Sequence, residues 1–297
     1  TRMASETALK AMSAVLLLIF GMAGGLSPSL CDSAAPKWVA SLADAFSAGV
    51  LLSVGTCHML GDGSSGVDEQ WGKALTETFK PKCAADDPEP TDCDPFPAGL
   101  ALFLLGIFLM LYVHSISVHK HDHTSSSTRQ MSMNTAELAV GLNASQTPFA
   151  AAAPSDDSMA GGCGTLLGVS THSTIEGVAV GAASSAALGF FVILHKYFAA
   201  FAVGSSLLPQ RKAWLKYSGV TFFGLTGPVS VVAGMIASND LEDVWSDALQ
   251  CTAAGTLVAV AFMDMLLPSL ERSPQLRWWL LLSATIGAAA MAFIAIW

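Results

Sequence analysis

The chain has 297 residues, of which 52% are hydrophobic and only 12% charged, and its formal net charge is −9. An ordinary soluble domain carries about 25% charged residues, so this composition describes a polytopic membrane protein, and the acidic balance argues against nucleic acid as a partner. No phosphate-binding glycine loop or dinucleotide fingerprint occurs, which argues against ATP-driven pumping.

Apolar runs of about twenty residues recur near 8–30, 38–60, 97–118, 162–186, 188–208, 215–237, 246–267 and 276–297, each long enough to cross a hydrocarbon layer as a helix. The fold expected is an all-α membrane protein with eight transmembrane helices. Strands of a membrane barrel would need short alternating segments, and these runs are continuous in Leu, Ala, Val and Phe. The first run, Ala11 to Leu26 behind Arg2 and Lys10, also has the basic flank of a secretory leader. It is read as a span, because a leader would leave an odd number of spans and a poorer fit to the loop charges. Only Ser184 to Gly189 separates the fourth and fifth runs, and its small residues suit a tight turn. Three regions follow: helices one to three in 1–118, with an acidic exterior loop at 61–96; a flexible cytoplasmic loop at 119–161; and helices four to eight in 162–297.

The loops after helices one, three, five and seven carry Lys37, then Lys120 and Arg129, then Arg211, Lys212 and Lys216, then Arg272 and Arg277. Basic loops stay in the cytoplasm, so both termini are expected outside, in a multi-pass protein of the plasma membrane. The opposite loop holds Asp62, Asp68, Glu69, Asp86, Asp87, Glu89, Asp92 and Asp94, and the loop at 238–245 adds Asp240, Glu242 and Asp243. These acids are either a solvated face or a field that concentrates cations at an entrance. Cys83 and Cys93 share the exterior loop and are expected to pair, whereas Cys57, Cys163 and Cys251 are read as small buried hydrophobes. His119, His121 and His123 follow His114 into the cytoplasmic loop, where alternating imidazoles bind a divalent ion weakly if at all.

The chemistry concentrates in the fourth and fifth runs. His172 and Glu176 are four apart, so both project from one helix face, with Ser173 beside them. An imidazole nitrogen and a carboxylate oxygen suit Zn²⁺ or Fe²⁺ better than Na⁺ or K⁺. Gly177, Gly181 and Ser185 continue the helix as a small-residue stripe that lets another backbone approach and permits a homodimer. His195 on helix five is the complementary ligand, and Lys196 diverges from it by about 100° around the axis. His58 ends helix two near the acidic loop, Asp264 lies deep in helix seven, and Pro228 permits a kink in helix six.

The segments His172-Ser173-Thr174-Ile175-Glu176-Gly177 and His195-Lys196 closely resemble helices four and five of the Zrt/Irt-like (ZIP) family of divalent-metal transporters, in its subgroup with HSxxEG and HK. Phe46 to Leu52, leading to His58-Met59-Leu60, resembles that family's second helix. The resemblance implies a ZIP-like bundle with a binuclear-type metal site at mid-membrane and alternating access. His172 and Glu176 match first-site ligands, His195 matches the helix-five ligand position, Ser173 matches a position that is often Asn, and Asp264 matches an acidic position, there either to help release the ion inward or to cap a polar contact. Two residues depart from the pattern: Lys196 stands where many members carry an acidic second-site ligand, and Ala199 where many carry a bridging Glu. A protonated ammonium has no lone pair, so a single-ion site is expected. The function expected is import of a divalent transition metal, foremost Zn²⁺ as cargo, with no cofactor and with the ion and the lipid bilayer as partners. The alternative is an intramembrane zinc hydrolase in which His58, His172 and His195 hold the metal and Glu176 or Asp264 activates water.

Overall fold

A computed structural model describes residues 2–31, 36–79, 94–129, 157–182, 188–208, 212–237 and 243–295. The described residues form eight helical runs. Helix α1 spans Arg2–Cys31, and α2 begins as Lys37–Ser53. A π-helical segment at Val54–Met59 widens α2, which resumes at Leu60–Val67, widens again at Asp68–Gly72 and finishes as Lys73–Phe79. Next come α3 (Ala98–Arg129), α4 (Asp157–Ala182), α5 (Leu188–Leu207) and α6 (Ala213–Ala237). Helix α7 runs Asp243–Val260, widens at Ala261–Leu266 and ends as Leu267–Arg272, and α8 is Arg277–Ala295.

Six of these helices are long and apolar enough to cross a membrane among the described residues: α1, α2, α3, α6, α7 and α8. Helices α4 and α5 fall outside that set. They carry the polar residues of the motif, and the segment joining them, 183–187, lies outside the described residues along with Ser185. Exposed Phe108, Val229, Ile236 and Phe293 give the outer surface of α3, α6 and α8 an apolar face suited to lipid.

Two expected loops are partly helical. The apolar stretch that continues α2 reaches Phe79, making Trp38–Phe79 a run of 42 residues, about twice the length that spans a bilayer. The acids and glycines of 61–79 disguised this extension, but tertiary packing holds it. Val67 is buried with Ala98, Val244, Ala248 and Cys251, Trp71 meets Trp245 edge-on at 4.9 Å, and the Gly99 amide donates to Asp68 Oδ1 at 2.7 Å. Likewise α3 continues to Arg129, so the segment holding His119, His121 and His123 prolongs a helix instead of opening a loop; their side chains lie outside the described set. Cys83, Cys93, Asp86, Asp87, Glu89 and Asp92 also lie outside the described residues, as do Asp240, Glu242 and the side chain of Cys163. Of the remaining thiols, Cys251 is buried as expected and Cys57 is exposed.

The helices pack as two groups. Helix α1 lies along α5 and α6, and α4 lies along α6; in the other group α2 packs on α8 and α3 on α7. Reciprocal glycines bring backbones together in both. A Cβ on Gly181 of α4 would stand 2.2 Å from the Val231 carbonyl oxygen of α6, and one on Gly234 would stand 2.3 Å from the Val178 carbonyl oxygen. Gly106 of α3 and Gly255 of α7 are related in the same way, at 2.1 Å from Thr252 O and 2.0 Å from Phe103 O. Such contacts replace the hydrophobic effect as the source of helix association where the solvent is itself apolar. The groups meet where α4 crosses α7 and α2 passes α5, around a core that includes Leu51, Val54, Val203, Leu257 and Val260.

Candidate metal site

The i, i+4 spacing on α4 places His172 and Glu176 one turn apart, and α5 brings His195 to the same point. One ligand atom from each of the three lies within 4.8 Å of the others. All three side chains are sealed from solvent, with residue exposures of 1%, 3% and 1%. His195 Nε2 is 2.7 Å from Glu176 Oε1, and His172 Nε2 is 3.7 Å from Glu176 Oε2. The two imidazole rings meet edge-on with centroids 6.1 Å apart. His172 Nε2 is buried without a hydrogen bond, which is costly in a low-dielectric interior unless a cation takes up its lone pair.

The other ring nitrogen of His172 is engaged by α7. Nδ1 lies 2.9 Å from the Ala253 carbonyl oxygen and 3.1 Å from Thr256 Oγ1, while the Thr256 hydroxyl donates to that same carbonyl at 2.7 Å. A carbonyl only accepts, so Nδ1 carries the hydrogen and Nε2 keeps its lone pair for a metal. Ser246 adds a second tie between α7 and α4 by donating to Ala179 O at 3.1 Å.

Ser173 and Lys196 belong to a neighbouring arrangement. Neither is part of the three-residue cluster. The Lys196 ammonium donates to Ser173 Oγ and sits over the Phe223 ring, 4.0 Å from its centroid. Thr226 Oγ1 also approaches Ser173 Oγ, at 3.3 Å. The serine expected as a ligand is thus occupied by the lysine expected at the second site.

The remaining candidates flank the cluster. His58 occupies the first π segment, with Nδ1 3.0 Å from Asp62 Oδ2, and it is near enough to His195 and Glu176 for their charges to interact. Asp264 occupies the π segment of α7 and is 4% exposed; its Oδ1 is 3.4 Å from Nδ1 of the half-exposed His114. Both line a cavity of about 190 Å³ with Asp44, Thr165, Ser205 and Arg272, room for about six waters at roughly 30 Å³ each. Here Ser205 and Arg272 are near enough to Asp44 to act on its carboxylate.

The profile of the ZIP zinc transporter family matches residues 7–295. The chain belongs to the ZIP zinc transporter family. It is 27% identical over 279 residues to the human zinc transporter ZIP2, an alignment covering 88% of this chain and 86% of that protein. It is 30% identical over 145 residues to protein zntD of Dictyostelium discoideum, covering 44% of this chain and 21% of that protein. It is also 26% identical over 147 residues to zinc transporter 3 of Arabidopsis thaliana, covering 44% and 43% respectively. As a ZIP protein it is a membrane transporter of divalent metal, with zinc as the family's substrate, and not an enzyme. The hydrolase alternative finds no support: His58 lies outside the cluster of His172, Glu176 and His195, and Asp264 faces His114 in a separate cavity.

Three contributors in this ZIP protein lay outside the sequence motifs. Asp44 was legible in principle, as a carboxylate inside an apolar run, which is a functional signal by default. Thr256 and the Ala253 carbonyl were not, because a threonine or a backbone oxygen on one helix gives no sign of the histidine it will meet.

Proposed function

We propose that this ZIP protein imports one Zn²⁺ per cycle toward the cytoplasm by alternating access, through a single site made by His172, Glu176 and His195. The observation that carries the reading is the convergence of three buried ligand atoms within 4.8 Å on α4 and α5. Two imidazoles and a carboxylate leave a position open, as suits an ion that must also leave. Lys196 contributes no lone pair and Ser173 is already bonded to it, which supports one ion and not two.

On the outer approach, His58 and Asp62 with the acids of the α2 extension draw the cation in. On the inner side, His114, Asp264 and Asp44 receive it before hydration is complete. Orientation rests on charge and aromatic placement: α2, α6 and α8 begin with Lys37-Trp38, Lys212 before Trp214, and Arg277-Trp278, and these tryptophans are exposed. Basic residues next to interfacial tryptophans mark a cytoplasmic boundary. Both ends of the described chain then face outward, in the plasma membrane.

The test is radioactive zinc uptake into cells or proteoliposomes by the wild type, His172→Ala and Glu176→Ala. Both variants are expected to lose uptake while still reaching the membrane. Equal uptake in all three would refute the site.

A further inference from the structure

Lys196 is the largest fully buried side chain among the described residues, with 1% exposure, and no carboxylate there forms a salt bridge with it. An ammonium so placed costs several kcal/mol to desolvate, and a methionine would fill the space without that cost. Its surroundings are nonetheless built for a cation. Ser173 Oγ accepts its hydrogen bond, the π face of Phe223 lies beneath it, and Thr226 lies beside Ser173. Gly227 leaves the slot open, since a Cβ there would stand 3.2 Å from Nζ, and Gly21 passes the stem with a notional Cβ 3.8 Å from Cε.

These partners come from α1, α4 and α6, and Lys196 itself is on α5. They are the helices of the group that also holds His172, Glu176 and His195. The ammonium therefore moves with the site whenever this group shifts against α2, α3, α7 and α8. It also lies close enough to Glu176 to act on its charge. The Lys196 ammonium and the Glu176 carboxylate sum to zero in the empty site, and loading adds only the charge of the ion. Without Lys196, the empty site would carry an uncompensated carboxylate through the low-dielectric part of the cycle.

We propose that Lys196 is the built-in counter-ion of the empty carrier, a positioning charge that lets the metal-free site return without a second ion. The proposal rests on the alternating-access reading above. It separates two halves of the cycle, because loaded crossing has the metal to neutralise Glu176, whereas empty return has only Lys196.

The experiment uses the full chain in proteoliposomes with Zn²⁺ as the probe. Net uptake into zinc-free vesicles requires empty return at every turnover, whereas exchange of external radioactive zinc for internal unlabelled zinc does not. For Lys196→Gln, net uptake is expected to fall about tenfold or more, the effect of 1.4 kcal/mol or above on the return barrier, with exchange held within about twofold. Lys196→Met, which keeps the packing and omits the charge, is expected to behave the same way, and retained exchange shows that either variant is folded. A parallel fall in net uptake and exchange in both variants, or no change in either mode, would overturn the proposal. Wild-type protein that moves zinc in neither mode would overturn the transport reading instead.

Discussion

At His172 the two nitrogens of one ring do different work. Nε2 faces Glu176 while Nδ1 is held by the Ala253 carbonyl and by Thr256, which fixes the tautomer and the ring plane together. Thr256→Val should therefore weaken zinc binding by about tenfold without removing a ligand, the scale of an outer-shell partner, as read by calorimetry on the purified protein. Unchanged affinity would show that the carbonyl alone orients the ring. Asp264 is deeply buried, and its Oδ2 has no hydrogen bond although it lines the inner cavity. In the proposed cycle it is a release residue and acts after binding. Asp264→Asn should lower the maximal rate of uptake several-fold and leave the half-saturating zinc concentration unchanged; a change confined to the latter would place Asp264 on the binding side.

At the scale of the element, both flanking candidates sit where a helix widens. His58 lies in the π segment Val54–Met59 and Asp264 in Ala261–Leu266. One extra residue per turn shifts the register of the face that follows, and such bulges recur at functional positions. The glycine stripe on α4 works by closeness. Gly181 abuts the Val231 carbonyl of α6, and its own carbonyl accepts a hydrogen bond from Lys10 of α1 at 2.8 Å. A methyl group at Gly181 has no flexible neighbour to displace. Gly181→Ala should cost roughly 1–3 kcal/mol of stability by overpacking and should impair uptake, as checked by thermal unfolding in detergent alongside transport. Gly61 is the control, because nothing lies within 4 Å of a Cβ there. Gly61→Ala should be neutral or slightly stabilising, since Ala is favoured over Gly in a helix by about 1 kcal/mol.

At the scale of the whole molecule, the proposed orientation puts the acidic extension of α2 and the basic starts of α2, α6 and α8 on opposite sides of the membrane. In that orientation the described acids Asp62, Asp68, Glu69 and Asp94 are on the outer side. If they steer zinc, raising ionic strength from about 0.01 M to about 0.15 M, which shortens the screening length from roughly 30 Å to roughly 8 Å, should lower uptake at limiting zinc but not at saturation. Uptake insensitive to salt would leave these acids as a solvated face. Orientation has its own test. An epitope tag after Trp297 should stain on intact cells expressing the protein, and staining only after permeabilisation would reverse the assignment.

Much of this was legible along the chain, for reasons that differ by feature. Apolar runs of membrane length are a local property, so the all-helical membrane class and six of the spans could be read directly. The i, i+4 pair His172 and Glu176 shares a face by helix geometry alone, and the histidine opening the next motif was its natural partner. The extension of α2 could not be read, because its acids and glycines mimic a loop until Val67 and Trp71 find α3 and α7. Nor could the division of labour between Ser173 and Lys196. Composition and spacing determine which residues can reach a common point, whereas the hydroxyl, the aromatic face and the glycine slot that receive Lys196 come from three other helices. Only the packed bundle decides that the lysine turns toward them and leaves His172, Glu176 and His195 as a separate cluster.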